Sequence, residues 1–120
     1  MRYSRGAMTE NRSRPDFLFP GEEAYHDGCF PSERLTMLGA KSTLKDRWRQ
    51  VLSEADRIPE KHLITLEPGI SVHQTAEMQA KQLQLVIPER LHESFCPEQR
   101  RWLISLADFI RLVDARQRIA

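Results

Sequence analysis

A chain of 120 residues and 14.0 kDa is the size of one domain, long enough to bury a core without disulfide or metal staples and too short for a multidomain machine. Hydrophobic residues make up 40% and charged residues 29%, which excludes a disordered or membrane-embedded composition. With 18 Lys and Arg against 17 acids, the net charge of +1 gives no global pull on nucleic acid, so anion binding has to come from local clustering.

Cys29 and Cys96 form no C-x-x-C motif, and the basic start MRYSRGAMTENRSR lacks the apolar stretch of a secretory signal, which points to a cytoplasmic protein with reduced thiols. No run approaches the roughly 18 apolar residues of a membrane span. Residues 1–14 carry Arg2, Arg5, Arg12 and Arg14 among small polar residues and read as a mobile or edge segment. From Pro15 the run PDFLFP gives a short strand from Asp16 to Phe19, which Pro20 stops. GEEAYHDGCFPSER is rich in turn residues and reads as a long loop. Leu35 to Ala40 is a second strand, apolar on both faces and therefore central.

Trp48, Val51, Leu52 and Ala55 then fall at helical spacing, with Thr43 as a plausible N-cap and Pro59 ending the helix at or before Ile58. His62 to Leu66 is a third strand, Ser71 to Lys81 a second helix capped by Ser71, and Leu83 to Ile87 a fourth strand. Pro97 to about Gln117 carries Trp102, Leu103, Leu106, Phe109, Ile110 and Val113 at 3- and 4-residue spacings and reads as one long amphipathic helix. The order β-β-α-β-α-β-α predicts an α/β domain with a parallel or mixed sheet flanked by helices.

The helix expected from Thr43 breaks a local rule. Lys41, Lys45, Arg47 and Arg49 crowd an N-terminus where the macrodipole is already positive. A bound phosphate would offset that repulsion, and a solvated basic face partly neutralised by Asp46 and Glu54 is the plain alternative. Asp16 beside a buried strand calls for a cation, and Glu54 sits at the border of the apolar face. Two acids and a lysine around a phosphate are what Mg²⁺ needs, because it takes few protein carboxylates and completes its shell with water and substrate oxygens.

RPDFLFPGEEAYHD, followed by AKSTLKDRWRQVLSEADR, KHLITLEPGIS, QLQLVIPE and SLADFI, resembles the catalytic domain of EcoRII-type restriction endonucleases, within the PD-(D/E)XK nuclease superfamily. The resemblance is collinear and covers essentially the whole chain after the first few residues. It implies a restriction-endonuclease-like mixed sheet over 15–120, without the helix and strand material that precedes this part in the family. It further implies a Mg²⁺-dependent type II endonuclease that cuts double-stranded DNA at a short CC/GG-type site, leaves 5′-phosphates and works as a homodimer. By the same resemblance Asp16 is the acid of the "PD" element and a metal ligand, Lys41 the lysine that contacts the scissile phosphate, and Lys45 the second lysine of K-x-x-x-K. The usual second acid, two residues before that lysine, is replaced by Gly39, and the resemblance gives its role as metal ligand to Glu54. Asp46 and Arg47, with Arg49 nearby, match the residues that read G·C pairs; a guanidinium fork suits guanine O6/N7, and a carboxylate accepts from cytosine N4.

Two other readings compete. A non-catalytic DNA-binding or interaction fragment would keep the fold and the basic segment without holding metal. His26-x-x-Cys29 and His92-x-x-x-Cys96 could together form a zinc site, although neither spacing is a common one. Glu54 could instead pair with Arg57 or Gln50 along a helix, and Tyr25 and His26 lie in a loop where aromatics often only pack.

Overall fold

A computed structural model of the chain describes residues 1–6, 16–44 and 47–118. Its centre is a five-stranded mixed sheet in which spatial order follows sequence order. The strands are β1 (Ser4–Arg5), β2 (Phe17–Phe19), β3 (Thr36–Ala40), β4 (Lys61–Ile64) and β5 (Leu83–Val86). β1 pairs antiparallel with β2, and β2 with β3, placing Phe17 opposite Leu38. β3, β4 and β5 are parallel, with Leu38 beside His62 and Leu63 beside Leu85. The first residues thus supply an edge strand, and alternation along the remaining strands settles which side chains go where.

Successive side chains on a strand point to opposite faces. Leu18, Met37, Leu63, Leu83 and Leu85 therefore meet Tyr25, Trp48, Val51, Met78 and Phe95 in a broad core on one face. Phe19, Leu38 and Val86 meet Phe109 and Val113 on the other. The helices are α1 (Glu22–His26), α2 (Val72–Ala80), α3 (Pro97–Trp102) and α4 (Leu106–Arg118). Ser71 caps α2 as expected, its hydroxyl accepting from the Gln74 N–H at 3.2 Å.

Three expectations need correction. The predicted loop 21–34 contains α1 and a 3-10 turn over Ser32–Arg34. In place of an α-helix running from Thr43 to Ile58, a 3-10 helix spans Arg47–Ser53. Its two buried residues, Trp48 and Val51, are three apart, one full turn at 3.0 residues per turn. Ala55, at φ 52°, then turns the chain out of helical geometry before Pro59 is reached. The macrodipole argument for an anion cradle at Thr43 falls with that helix.

The predicted long final helix is two. Leu103 is extended, and Ile104 continues the sheet beside Val86, its carbonyl accepting from the Ile87 N–H at 2.9 Å. Ser105 restarts the chain as α4 through a reciprocal cap: its Oγ accepts from the Asp108 N–H, and Asp108 Oδ2 accepts from the Ser105 N–H. Among the described residues no helix is long and apolar enough to cross a membrane.

Candidate active site

Because β2 runs antiparallel to β3, the start of β2 lies beside the carboxyl end of β3, so Asp16 and Lys41 meet at one edge of the sheet. Asp16 Oδ2 accepts from the Ala40 N–H at 2.7 Å, and its backbone carbonyl accepts from the Gly6 N–H. Lys41 follows directly, its N–H donating to the Ile64 carbonyl at 3.1 Å, so the β3–β4 ladder fixes where its side chain leaves the sheet. In open sheets with parallel strands, the carboxyl edge is where ligands bind.

Glu54 joins them from the end of the 3-10 helix, where its N–H donates to the Val51 carbonyl. Burial lifts its carboxyl to about 7; Lys41 and Lys61 hold the rise back, while Asp16 adds to it. Asp16, Lys41 and Glu54 therefore share one electrostatic neighbourhood. Glu54 Oε1 is buried with no hydrogen-bond partner among the described residues. A buried, unpartnered carboxylate oxygen beside a second carboxylate is a place for a cation, and two oxygen donors fit a hard divalent ion.

Gly39 explains why the acid stands there and not two residues before Lys41. A Cβ at Gly39 would lie 3.3 Å from Val51 Cγ2 and 3.4 Å from Leu63 Cδ1. The 3-10 helix sits so close on β3 that a side chain at position 39 would press on Val51 and Leu63, and the same close approach brings Glu54 over the strand end.

Of the remaining expected site residues, Lys45 and Asp46 lie outside the described residues. Arg47 is exposed at the start of the 3-10 helix. Arg49 lies over the Trp48 ring at 4.4 Å and pairs with Glu77 of α2, so it is already committed to structure. Arg57 is no partner of Glu54 in an α-helix; its guanidinium instead donates to the carbonyls of Ala24, Tyr25, Asp27 and Phe30. Tyr25 is buried, and its hydroxyl accepts from the Arg57 N–H at 3.1 Å, which makes it a packing residue. Among the described residues no group of three or more His, Cys, Asp or Glu is placed to hold a metal, so the four-ligand zinc arrangement is not assembled. His92 Nε2 is instead engaged with the Ile87 carbonyl at 2.7 Å.

Two contributors were not singled out from sequence. Lys61, at the head of β4, is buried and touches the turn that carries Glu54. Glu67 reaches back to the Leu44 N–H and so tethers the segment after Lys41. A lysine opening the apolar run KHLIT was the available signal for the first; nothing local marked the second.

The chain matches the family described as EcoRII C terminal over residues 1–110. It is 47% identical over 108 residues to the Type II restriction enzyme EcoRII of Escherichia coli, covering 90% of this chain and 27% of that protein. The chain thus spans about a quarter of the length of that curated relative. Among solved structures, metal-depleted Ecl18kI in complex with uncleaved, modified DNA aligns with a TM-score of 0.74 at 21% identity, covering 87% of this chain and 35% of that one. The same protein with uncleaved DNA gives 0.73 at the same identity and coverage. At that identity the likeness speaks for the fold, which is restriction-endonuclease-like.

Proposed function

The chain belongs to the EcoRII C-terminal family, and from that premise we propose that it is the catalytic part of a type II restriction endonuclease. It hydrolyses double-stranded DNA at a short CC/GG-type site, acts as a homodimer in the cytoplasm, and depends on Mg²⁺. The observation that carries this reading is the meeting of Asp16, Lys41 and Glu54 at the carboxyl edge of β3, with a buried Glu54 oxygen left without a partner.

Asp16 and Glu54 would hold the metal, which when bound supplies Lewis-acid charge to the phosphate oxygens. Asp16 is oriented for this by the Ala40 N–H, which occupies one of its oxygens. Lys41 supplies a fixed positive charge to the scissile phosphate. Attack by water at phosphorus adds negative charge there, so that ammonium stabilises the transition state more than the ground state. The 3′-oxygen leaves, and the phosphate stays on the 5′ end. Lys45 is assigned to the same phosphate and water, and Asp46 and Arg47 to the bases. Arg47, exposed at the start of the 3-10 helix, suits that task. Arg49 would join it only by leaving Glu77.

The test is incubation of the purified chain with unmethylated plasmid in Mg²⁺, with Ca²⁺, EDTA and Asp16→Ala controls, followed by sequencing of the ends. Discrete ends sharing one CC/GG motif, absent with Asp16→Ala, support the reading. DNA binding without cleavage by a folded chain, unchanged by Asp16→Ala, replaces it with a non-catalytic DNA-binding role.

A further inference from the structure

Glu54 owes its place to a turn, and the turn is held from beneath by a buried cation. Lys61 is 5% exposed at the first position of β4. Its ammonium donates to the Ala55 carbonyl at 2.7 Å and to the Ile58 carbonyl. A lysine this deeply buried is rare, because stripping water from an ammonium is expensive unless acceptors replace it. Packing at the head of a strand would be served by any apolar residue of similar length. What a donor does here, and an apolar residue cannot, is hold two carbonyls of the turn at once.

Those carbonyls flank the part of the chain that matters. Ala55, directly after Glu54, is held at φ 52°, a region a residue with a Cβ rarely adopts. The Ile58 N–H closes the turn on the Ala55 carbonyl at 2.9 Å, the same oxygen that Lys61 holds. From the outer side, Arg57 ties this turn to α1 and the residues after it, with Nη2 donating to the Phe30 carbonyl and to Ser32 Oγ. The Lys61 charge is also felt at the Glu54 carboxyl.

We infer that Lys61 is the positioning residue for Glu54: by holding the Ala55 and Ile58 carbonyls it sets the turn that aims the Glu54 carboxyl at the cation site shared with Asp16. Lys61 acts through the turn and touches neither metal nor DNA. The inference rests on the reading of Asp16 and Glu54 as a metal-binding pair and adds the device that keeps the pair together.

The experiment is Mn²⁺ binding to the full chain, read as loss of the free-ion paramagnetic resonance signal up to millimolar Mn²⁺, with thermal unfolding recorded for every variant. Asp16→Asn should abolish binding. Lys61→Met keeps the stem and removes the ammonium; it should weaken binding tenfold or more, equivalent to about 1.4 kcal/mol. Val113→Ala, in the core on the opposite face of the sheet, should lower the unfolding temperature while leaving Mn²⁺ affinity within about twofold of the starting protein. Should Lys61→Met not fold, Lys61→Gln carries the same comparison, with at least a threefold loss expected. Affinity unchanged in the Lys61 variant, or an equal loss in Val113→Ala at the same unfolding temperature, overturns the inference. Absence of Mn²⁺ binding by the starting protein, or binding that survives Asp16→Asn, overturns the metal pair itself, and the inference falls with it.

Discussion

The two faces of the sheet are built differently. Among the described residues, one carries a core of seventeen buried residues drawn from β2 to β5, α1, the 3-10 helix, α2 and the segments between elements, with Trp48, Tyr25 and Phe95 among them. Among the described residues the other carries five, Phe19, Leu38, Val86, Phe109 and Val113, with α4 as its helical cover and Tyr3 of the edge segment against Phe19. On that thin side Leu106 and Ile110 remain 42% and 43% exposed, and Tyr3 of the edge segment 54%. The site-bearing turn stands on the thick side. A charge cluster that must hold its geometry is best mounted on close packing, because a dense interior offers few alternative positions.

That contrast can be tested first by cavity-forming changes. Trp48→Ala on the thick face should cost about 4 kcal/mol, and Phe109→Ala about 3 kcal/mol or less, because a face covered by one helix can collapse onto the gap more readily. Urea unfolding of both measures it, and a larger loss at Phe109 would reverse the ranking of the faces.

Acid is the next probe and acts on the thin side. His62 points toward α4, its ring 5.1 Å from Phe109, and burial followed by the Arg116 charge lowers its pKa to about 4. Glu60 Oε1 lies 3.6 Å from Nε2 and pairs with Arg116 at 3.0 Å; with the ring neutral, the first contact is no ion pair. The unfolded chain therefore takes up a proton at His62 near pH 6.5, before the folded one does. Stability from this group is full above that pH and is lost as pH falls toward 4, by an amount of up to about 3 kcal/mol. Glu54, raised to about 7, tilts the opposite way, its contribution present at low pH and lost as pH rises through 7. The readout is the difference between the starting protein and His62→Phe across pH 4–6.5, and equal slopes would sink the assignment.

Gly39→Glu is the third probe and restores an acid two residues before Lys41. The contact with Val51 should make it destabilising by about 1–3 kcal/mol, and it should not recover cleavage when combined with Glu54→Gln. Recovery would mean that the 3-10 helix can lift off β3. The smallest effect expected is at Ser105, where replacing the α4 cap with Ala should cost about 1 kcal/mol and leave DNA cleavage within twofold.

Much of this was legible in the chain. β2, β3, β4 and β5 stand within a residue or two of their expected bounds because alternation and proline punctuation are local signals. The two broken helices were not. Apolar spacing of three and four fits α and 3-10 geometry alike over one or two turns, and the left-handed Ala55, whose carbonyl Lys61 holds from the head of β4, is not encoded in that spacing. At Ser105 the signal was present: S-x-x-D marks a helix start, and the continuous apolar spacing from Trp102 to Val113 masks it. Asp16, Lys41 and Glu54 were read through resemblance to a family, and the fold brings them together. The composition alone named none of them, since a carboxylate becomes a site only when other elements deny it water.

The strand order β1-β2-β3-β4-β5 also bears on how the molecule is made. Each new strand pairs with the one just before it, so no strand has to be threaded between two already joined, and the sheet can be laid down in the order of synthesis. Asp16, Lys41 and Glu54 have all left the ribosome by the time β4 docks. α4 follows all five strands, and until it docks Phe19, Leu38 and Val86 lack its cover. The nascent chain therefore keeps one apolar face of the sheet open after the strands that carry Asp16 and Lys41 have paired, and α4 closes that face.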